Sequence, residues 1–217
     1  MKNKKNILTN AYSLKTPQDS INLYKNWAKT YDIDFVKKSN YLSPKKIANY
    51  FNKHCEILDT PILDIGSGTG LIGEYLNKKN NKEIIGIDIS SDMLKIAKLK
   101  ECYTSLIQTD VTNEIPLKSN SIGAIVSAGT FTHGHVGPKT LDELLRVIKP
   151  NGLFVLSIHY ELFVTGGFKK KFLEIKNKIT QPVFKIFKIY GKNSDKKHGN
   201  DKALAAIFRK KNEFTKI

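Results

Sequence analysis

Arginine is nearly missing from this chain: of 36 basic residues only two, Arg146 and Arg209, are arginine. Arginine makes the bidentate contacts that read phosphates and base edges, so a dedicated nucleic-acid surface is poorly supplied. Acidic residues are also few, 20 in 217, which leaves a net charge of +16. Asparagine and isoleucine are abundant, so part of the lysine excess fits a biased codon supply. The excess is concentrated at the end, where Phe168–Ile217 carries 15 basic and four acidic residues. That stretch reads as a solvated surface or a weak anion attractor, with a nucleic-acid partner as the less favoured alternative.

Cysteine is equally scarce. Cys55 and Cys102 are the only two, and no C-x-x-C spacing occurs. Zinc-knuckle and disulfide-framework classes are thereby excluded, and both residues are expected to be buried thiols. Long apolar runs are missing too. Leu153–Leu156 is typical of those present, far short of the roughly 20 residues a bilayer helix needs. Met1–Asn10 is basic but no apolar stretch follows it, unlike a secretory signal. The expectation is a soluble cytoplasmic protein. Nothing in the sequence fixes its oligomeric state.

What is present is an ordinary globular balance, 40% apolar and 26% charged, in a length that suits one domain. Residues up to about Pro17 are polar and expected to fray. Asp19 or Ser20 can cap a first helix reaching about Thr30, with Ile21, Leu23, Tyr24 and Trp27 as its apolar set. Ser43-Pro44 reads as N-cap and first position of a second helix, to about Lys53.

From Pro61 onward, strands and helices alternate. Strands are predicted at Ile62–Ile65, Glu83–Asp88, Thr104–Gln108, Ile122–Ser127 and Leu153–His159. Helices are predicted at Leu71–Lys79, Ser90–Lys100, Pro138–Ile148 and Phe168–Lys178. Such alternation with continuously apolar strands implies a parallel sheet covered on both faces. Val183–Tyr190 and Ala203–Arg209 follow without a helix between them and read as an antiparallel hairpin at the sheet edge. The charged loop Gly191–Asp201 between them is expected to be exposed. The predicted organisation is a single domain: a helical lid, residues 1–55, on a Rossmann-like α/β core, residues 56–217.

The segment Asp64-Ile65-Gly66-Ser67-Gly68-Thr69-Gly70 joins a buried strand to a helix. Glycines at alternate positions let the backbone pass close under a ligand, and the helix offers free N–H groups at the same place. A nicotinamide dinucleotide fingerprint would require Gly or Ala at position 71, where Leu71 stands. A carboxylate at Asp64 also suits an ammonium better than a pyrophosphate. Asp88 closes the second strand and can accept both ribose hydroxyls; the bland alternative is a helix cap, a role Ser90 already fills. Asp110-Val111 after the third strand can receive an adenine, with Asp110 on its amino group and Val111 against the ring. Met93 is either core or a packing surface for the other face.

Asp64-x-Gly66-x-Gly68-x-Gly70, Asp88 and Asp110 resemble motifs I, II and III of the class I methyltransferases. Tyr24-Lys25-Asn26-Trp27-Ala28-x-x-Tyr31-Asp32 resembles the Y-x-x-W-A-x-x-Y-D helix of small-molecule methyltransferases. The segments Ala128–Pro138 and Glu143–Gly152 are similar to the methyltransferase-like proteins of the Williams–Beuren chromosomal region and their bacterial relatives. The resemblance covers roughly residues 20–165. It implies a seven-stranded sheet with an antiparallel last strand and S-adenosyl-L-methionine as cofactor. It further implies cofactor contacts at Tyr24, Trp27, Tyr31, Asp64, Gly66, Ser67, Gly68, Gly70, Asp88, Ile89, Met93, Asp110, Val111, Ala128 and Gly129. Tyr12, Tyr24, Trp27 and Tyr31 are candidates for a lid, although Tyr24 and Trp27 equally suit packing of their helix on the core.

Two absences then bear on the acceptor. No Asn/Asp-Pro-Pro-aromatic segment follows the fourth strand, where amino-methylating nucleic-acid enzymes carry one. No cysteine stands there for cytosine-carbon chemistry. The expected acceptor is a small molecule, with a nucleic-acid substrate or a non-catalytic cofactor-binding protein as alternatives. His133 and His135, in the loop after that strand, are candidate general bases, His133 ahead of His135; the bland alternative is bonding to loop backbone. His159 is a weaker candidate. A metal is not expected, because the two histidines have no third ligand nearby in sequence.

Overall fold

β1 (Ile62–Ile65) is four residues long and buried throughout, which marks it as the centre of a sheet. The computed structural model describes residues 11–14, 16–77, 82–191 and 198–212. Around β1 stand β2 (Ile84–Asp88), β3 (Ser105–Gln108), β4 (Ile122–Phe131), β5 (Ile148–His159), β6 (Val183–Lys188) and β7 (Lys202–Arg209). Their order is β3-β2-β1-β4-β5-β7-β6. The first five strands pair in parallel, while β7 runs antiparallel to both β5 and β6. The expected seven-stranded sheet with a reversed last strand is therefore what forms. β7 inserts between β5 and β6, so β6 is the edge.

Alternate residues feed two cores. Leu63, Ile65, Phe154 and Leu156 belong to one face, while Ile62, Ala124, Val126 and Val155 belong to the other. The helices that cover them are α1 (Pro17–Trp27), α2 (Ser43–His54), α3 (Leu71–Asn77), α4 (Ser91–Lys98), α5 (Thr140–Val147), α6 (Tyr160–Thr165) and α7 (Phe168–Glu174). No helix among the described residues is long and apolar enough to cross a membrane.

Several boundaries differ from the sequence expectation for physical reasons. α1 is capped by Thr16, whose hydroxyl accepts the Asp19 N–H while Asp19 accepts the Thr16 N–H, a reciprocal box. Asp19 is thus the far partner of the cap. α1 ends at Trp27, and Tyr31 precedes a π-helical stretch, Asp32–Lys37. In α2 the N-cap is Leu42, and Ser43 is already helical. Part of the stretch expected to fray is packed: Ala11 is 6% exposed. Cys55 is only half-buried, because it sits at the C-cap of α2, while Cys102 is buried as expected. His198, inside the loop expected to be exposed, is buried against Tyr12. The predicted end of the Leu71 helix at Lys79 lies outside the described residues.

β5 begins at Ile148, ahead of the expected Leu153, and β4 continues past Ser127 to Phe131. Ser127 pairs with Leu156 and Phe131 with Ile158, so the ladder shifts register between them. Ala128, Gly129 and Thr130 therefore bulge out at the carboxyl edge. The sheet order reverses between β1 and β4, and that edge is where a crevice must open.

Candidate active site

At this switch point lies a cavity of about 190 Å³. Its floor is the glycine turn after β1. Gly66 has φ +65°, and a Cβ there would stand 2.0 Å from Thr130 Oγ1, so the turn and the β4 bulge can touch only through glycine. At Gly68, φ +54°, a Cβ would have nothing nearer than 4.0 Å; this residue borders open space and lines the cavity.

The cavity brings together Tyr24, Trp27, Tyr31, Gly66, Gly68, Asp88, Ile89, Met93, Asp110, Val111, Ala128, Gly129 and His135. It does not include Asp64, Ser67, Gly70 or His133. Gly70 is used for packing, since a Cβ there would meet Tyr103 and Ala97. Asp64 is fully buried behind the turn and accepts a hydrogen bond from the Tyr103 hydroxyl at 2.7 Å. Burial pushes its carboxyl up to about 7, opposed by the Tyr103 bond. Its Oδ1 and the Ser67 hydroxyl are buried with no hydrogen-bond partner among the described residues.

Asp88 holds the turn and the next helix together. It accepts the Gly68 N–H at 2.9 Å through Oδ2 and the Ser90 N–H at 2.8 Å through Oδ1. Burial raises its pKa and these N–H bonds oppose the rise. Each oxygen keeps a further lone pair for a ligand hydroxyl. Asp110 accepts from the Thr112 N–H, the Thr112 hydroxyl and the Asn113 amide, which fixes the loop after β3. Met93 is 2% exposed, so it is both core and cavity wall.

The aromatic residues of α1 and the following turn close one side. Tyr24 and Trp27 stack with an interplanar angle of 2°, and Tyr31 meets Trp27 edge-on at 4.8 Å. Burial raises the phenols of Tyr24 and Tyr31 well above their ordinary value. Asp32 ties this segment to the glycine turn: it accepts the Thr69 hydroxyl at 2.6 Å and the Lys100 ammonium at 2.7 Å. His135 faces the cavity and is bound on both nitrogens, by Tyr24 at 2.9 Å and by the His133 carbonyl at 2.8 Å. His133 points instead toward His159 and Glu161.

Sequence reasoning missed Tyr41, Ser157 and Tyr190, which also line the cavity, and Tyr103 behind the glycine turn. Tyr41 and Tyr190 are brought in by an isolated antiparallel bridge between distant segments, for which no local pattern exists. The loss of a Cβ at Gly129 is one legible trace, since a side chain there would strike the Tyr41 hydroxyl.

The described groups fit a ligand carrying a ribose, whereas Asp64, expected to meet an ammonium, lies behind the turn and outside the cavity. The fit rests on the open face at Gly68, the Asp88 carboxylate beside it, and the Met93 wall. A family model described as "Methyltransferase domain" matches residues 63–156. The malonyl-[acyl-carrier protein] O-methyltransferase of Priestia megaterium is 33% identical over 68% of this chain and 52% of its own length. The ubiquinone/menaquinone biosynthesis C-methyltransferase of Wigglesworthia glossinidia brevipalpis is 33% identical over 54% of this chain and 49% of its own. The chain thus spans about half the length of these curated relatives. A solved structure of a putative S-adenosyl-L-methionine-dependent methyltransferase from Methanococcus maripaludis superposes with a TM-score of 0.58 at 20% identity, over 99% of both chains. Within the seven-stranded Rossmann-like fold, residues 63–156 match a methyltransferase domain.

Proposed function

We propose that the whole chain transfers a methyl group from S-adenosylmethionine to a small-molecule acceptor held in this cavity. The observation that carries the reading is the mixed character of the cavity wall. Aromatic rings and small residues build much of it, yet three of its residues keep buried polar atoms with no partner among the described residues, Trp27 Nε1, Thr132 Oγ1 and both ring nitrogens of His159. Buried polar groups are normally paired, and a small ligand with a few hydrogen-bonding atoms would pair these.

The cofactor supplies an electrophilic methyl on a sulfonium; transfer needs the acceptor in line, close and shielded from water. In this reading Asp88 holds the ribose, Gly66 and Gly68 admit the backbone-close part of the cofactor, and Met93, Ile89 and Val111 enclose the adenine beside Asp110. Ala128 and Gly129, on the β4 bulge, border the methyl. Asp64, Ser67 and Gly70 act from behind the turn, fixing its shape. Tyr24, Trp27 and Tyr31 exclude water, which supports residues 1–55 as a lid on the core formed by 56–217. His135 is the candidate base, ahead of His133, because it alone of the two lines the cavity. The segments Ala128–Pro138 and Glu143–Gly152 support placing the chain with the Williams–Beuren-region methyltransferase-like proteins and their bacterial relatives.

Both arginines are spent internally, which disfavours a nucleic-acid substrate. Arg209 grips Asp59 at 2.8 and 2.9 Å, and Arg146 grips Glu143 and the carbonyls of Ile115 and Leu117. Lys171 is paired with Asp142 as well. The test is a metabolite screen with methyl-labelled cofactor. Label in a small molecule, unchanged in Lys169→Gln/Lys170→Gln protein, is expected. Label found only in RNA or DNA, or no binding of the cofactor, overturns the reading.

A further inference from the structure

His159 ends β5 with its side chain buried, the residue being 8% exposed, and neither ring nitrogen has a hydrogen-bond partner among the described residues. Two groups face it. His133, in the loop after β4, places its ring centroid 4.6 Å from that of His159. Glu161, in the first turn of α6, places Oε2 3.8 Å from His133 Nε2. One donor atom from each of the three residues falls within 4.8 Å of the others. The sequence paired His133 with His135, but the fold turns His135 toward Tyr24 and gives His133 two different partners.

We propose that His133, His159 and Glu161 bind one divalent transition-metal ion. Two imidazoles and a carboxylate are the donor set of zinc sites that keep an open position and of non-haem ferrous sites. An ion pair between His133 and Glu161 would account for those two side chains, but it leaves the buried nitrogens of His159 unexplained. Metal–ligand bonds of about 2 Å put donor atoms roughly 3 Å apart, so the cluster must close by about an ångström. Glu161, 68% exposed, is free to supply that movement. His159 also lines the cavity, at the end carrying Tyr12, Ser157 and Tyr190. An ion held there stands at the cavity wall, and its remaining positions suit an oxygen, nitrogen or sulfur atom of a small molecule.

The test is a Co²⁺ titration of tag-free full-length protein stripped with a chelator, followed by visible absorption and equilibrium dialysis, with Zn²⁺ as competitor. One Co²⁺ per chain is expected, with ligand-field bands that Zn²⁺ abolishes. Glu161→Gln and His159→Gln should each weaken Co²⁺ binding by about tenfold or more, at least the loss caused by removing an outer partner of a ligand. His135→Gln should leave it unchanged. Glu161 is exposed, so its variant keeps the proposal testable if His159→Gln is poorly folded by circular dichroism. No stoichiometric Co²⁺ binding, or binding undiminished in Glu161→Gln, overturns the site. Binding of S-adenosylhomocysteine, measured by calorimetry on the same stripped protein, bears on the methyl-transfer reading and leaves the ion site untouched.

Discussion

The Tyr24 hydroxyl and His135 Nε2 lie 2.9 Å apart and join α1 to the loop after β4 across the cavity. The other imidazole nitrogen lies 2.8 Å from the His133 carbonyl, which can only accept. Nδ1 therefore carries the hydrogen, and Nε2 accepts from Tyr24. Burial lowers the pKa of His135, which favours this neutral form. The lone pair a general base would use is thus covered by the Tyr24 hydroxyl.

Tyr24→Phe should uncover that lone pair. The neutral imidazole loses a donor, so its pKa should rise, which a ¹³C or ¹⁵N titration of His135 can follow. Stability should fall by about 1 kcal/mol, the net worth of one such bond. If His135 is the base, His135→Ala costs roughly 10²–10⁴-fold in turnover with cofactor affinity intact. Normal turnover in that variant reduces His135 to a brace between the loop and α1.

Asp88 pins two N–H groups, and the proposed ribose contact must be separated from that structural role. Asp88→Ala removes any ribose contact and also orphans the Gly68 and Ser90 N–H groups. Calorimetry should show S-adenosylmethionine binding weakened by about 1.5–3 kcal/mol, together with a lower melting temperature. Asp88→Asn retains an acceptor for one N–H and should recover part of the stability while binding stays weak. Unchanged affinity in both variants would remove Asp88 from the cofactor site.

The sheet and the glycine turn at the cavity edge were legible because they rest on local patterns. Apolar strands, glycines at alternate positions and an acid at the end of β2 sit close together in sequence. What was not legible depends on the chain returning to itself. Tyr103 reaches Asp64 across 39 positions, and Tyr12 reaches Tyr190 across 178. Ser127 marked the end of β4 by composition, yet the ladder resumes at Phe131 once three residues have bulged out. The sequence put His133 ahead of His135 as a candidate base, and only their different directions in the folded loop show that His135 is the one lining the cavity.

Arg209 gives a prediction about stability alone. Its guanidinium grips the buried Asp59 at 2.8 and 2.9 Å and also bonds the His54 and Asn151 carbonyls. It thereby ties β7 to the end of α2 and to the turn inside β5. Arg209→Ala leaves the Asp59 carboxylate buried without its cation and should cost about 3–5 kcal/mol in urea unfolding. Arg209→Lys should recover only part of this, since an ammonium cannot match the fork. A loss below about 1 kcal/mol in Arg209→Ala would show that Asp59 finds water instead.

Asp64 gives a prediction that changes with pH. Its folded pKa is about 7 against an ordinary 3.8, with burial as the cause. Between about pH 4 and 7 the folded chain holds a proton on this carboxyl that the unfolded chain has lost. Stability therefore falls as pH rises through that window, and the cost is complete above about pH 7. Three pK units correspond to on the order of 4 kcal/mol. Asp64→Asn keeps the shape, keeps an oxygen to accept the Tyr103 hydroxyl, and never ionises. In urea unfolding, variant and wild type should be nearly equal at pH 4, and the variant should be more stable by several kcal/mol at pH 8. Taking the difference cancels the titration of His135 and His159, whose depressed pKa values work in the opposite direction on acidification. A difference that stays flat from pH 4 to 8 would mean that Asp64 is ionised at no extra cost. Tyr103 and water would then solvate it, and its burial would not raise its pKa.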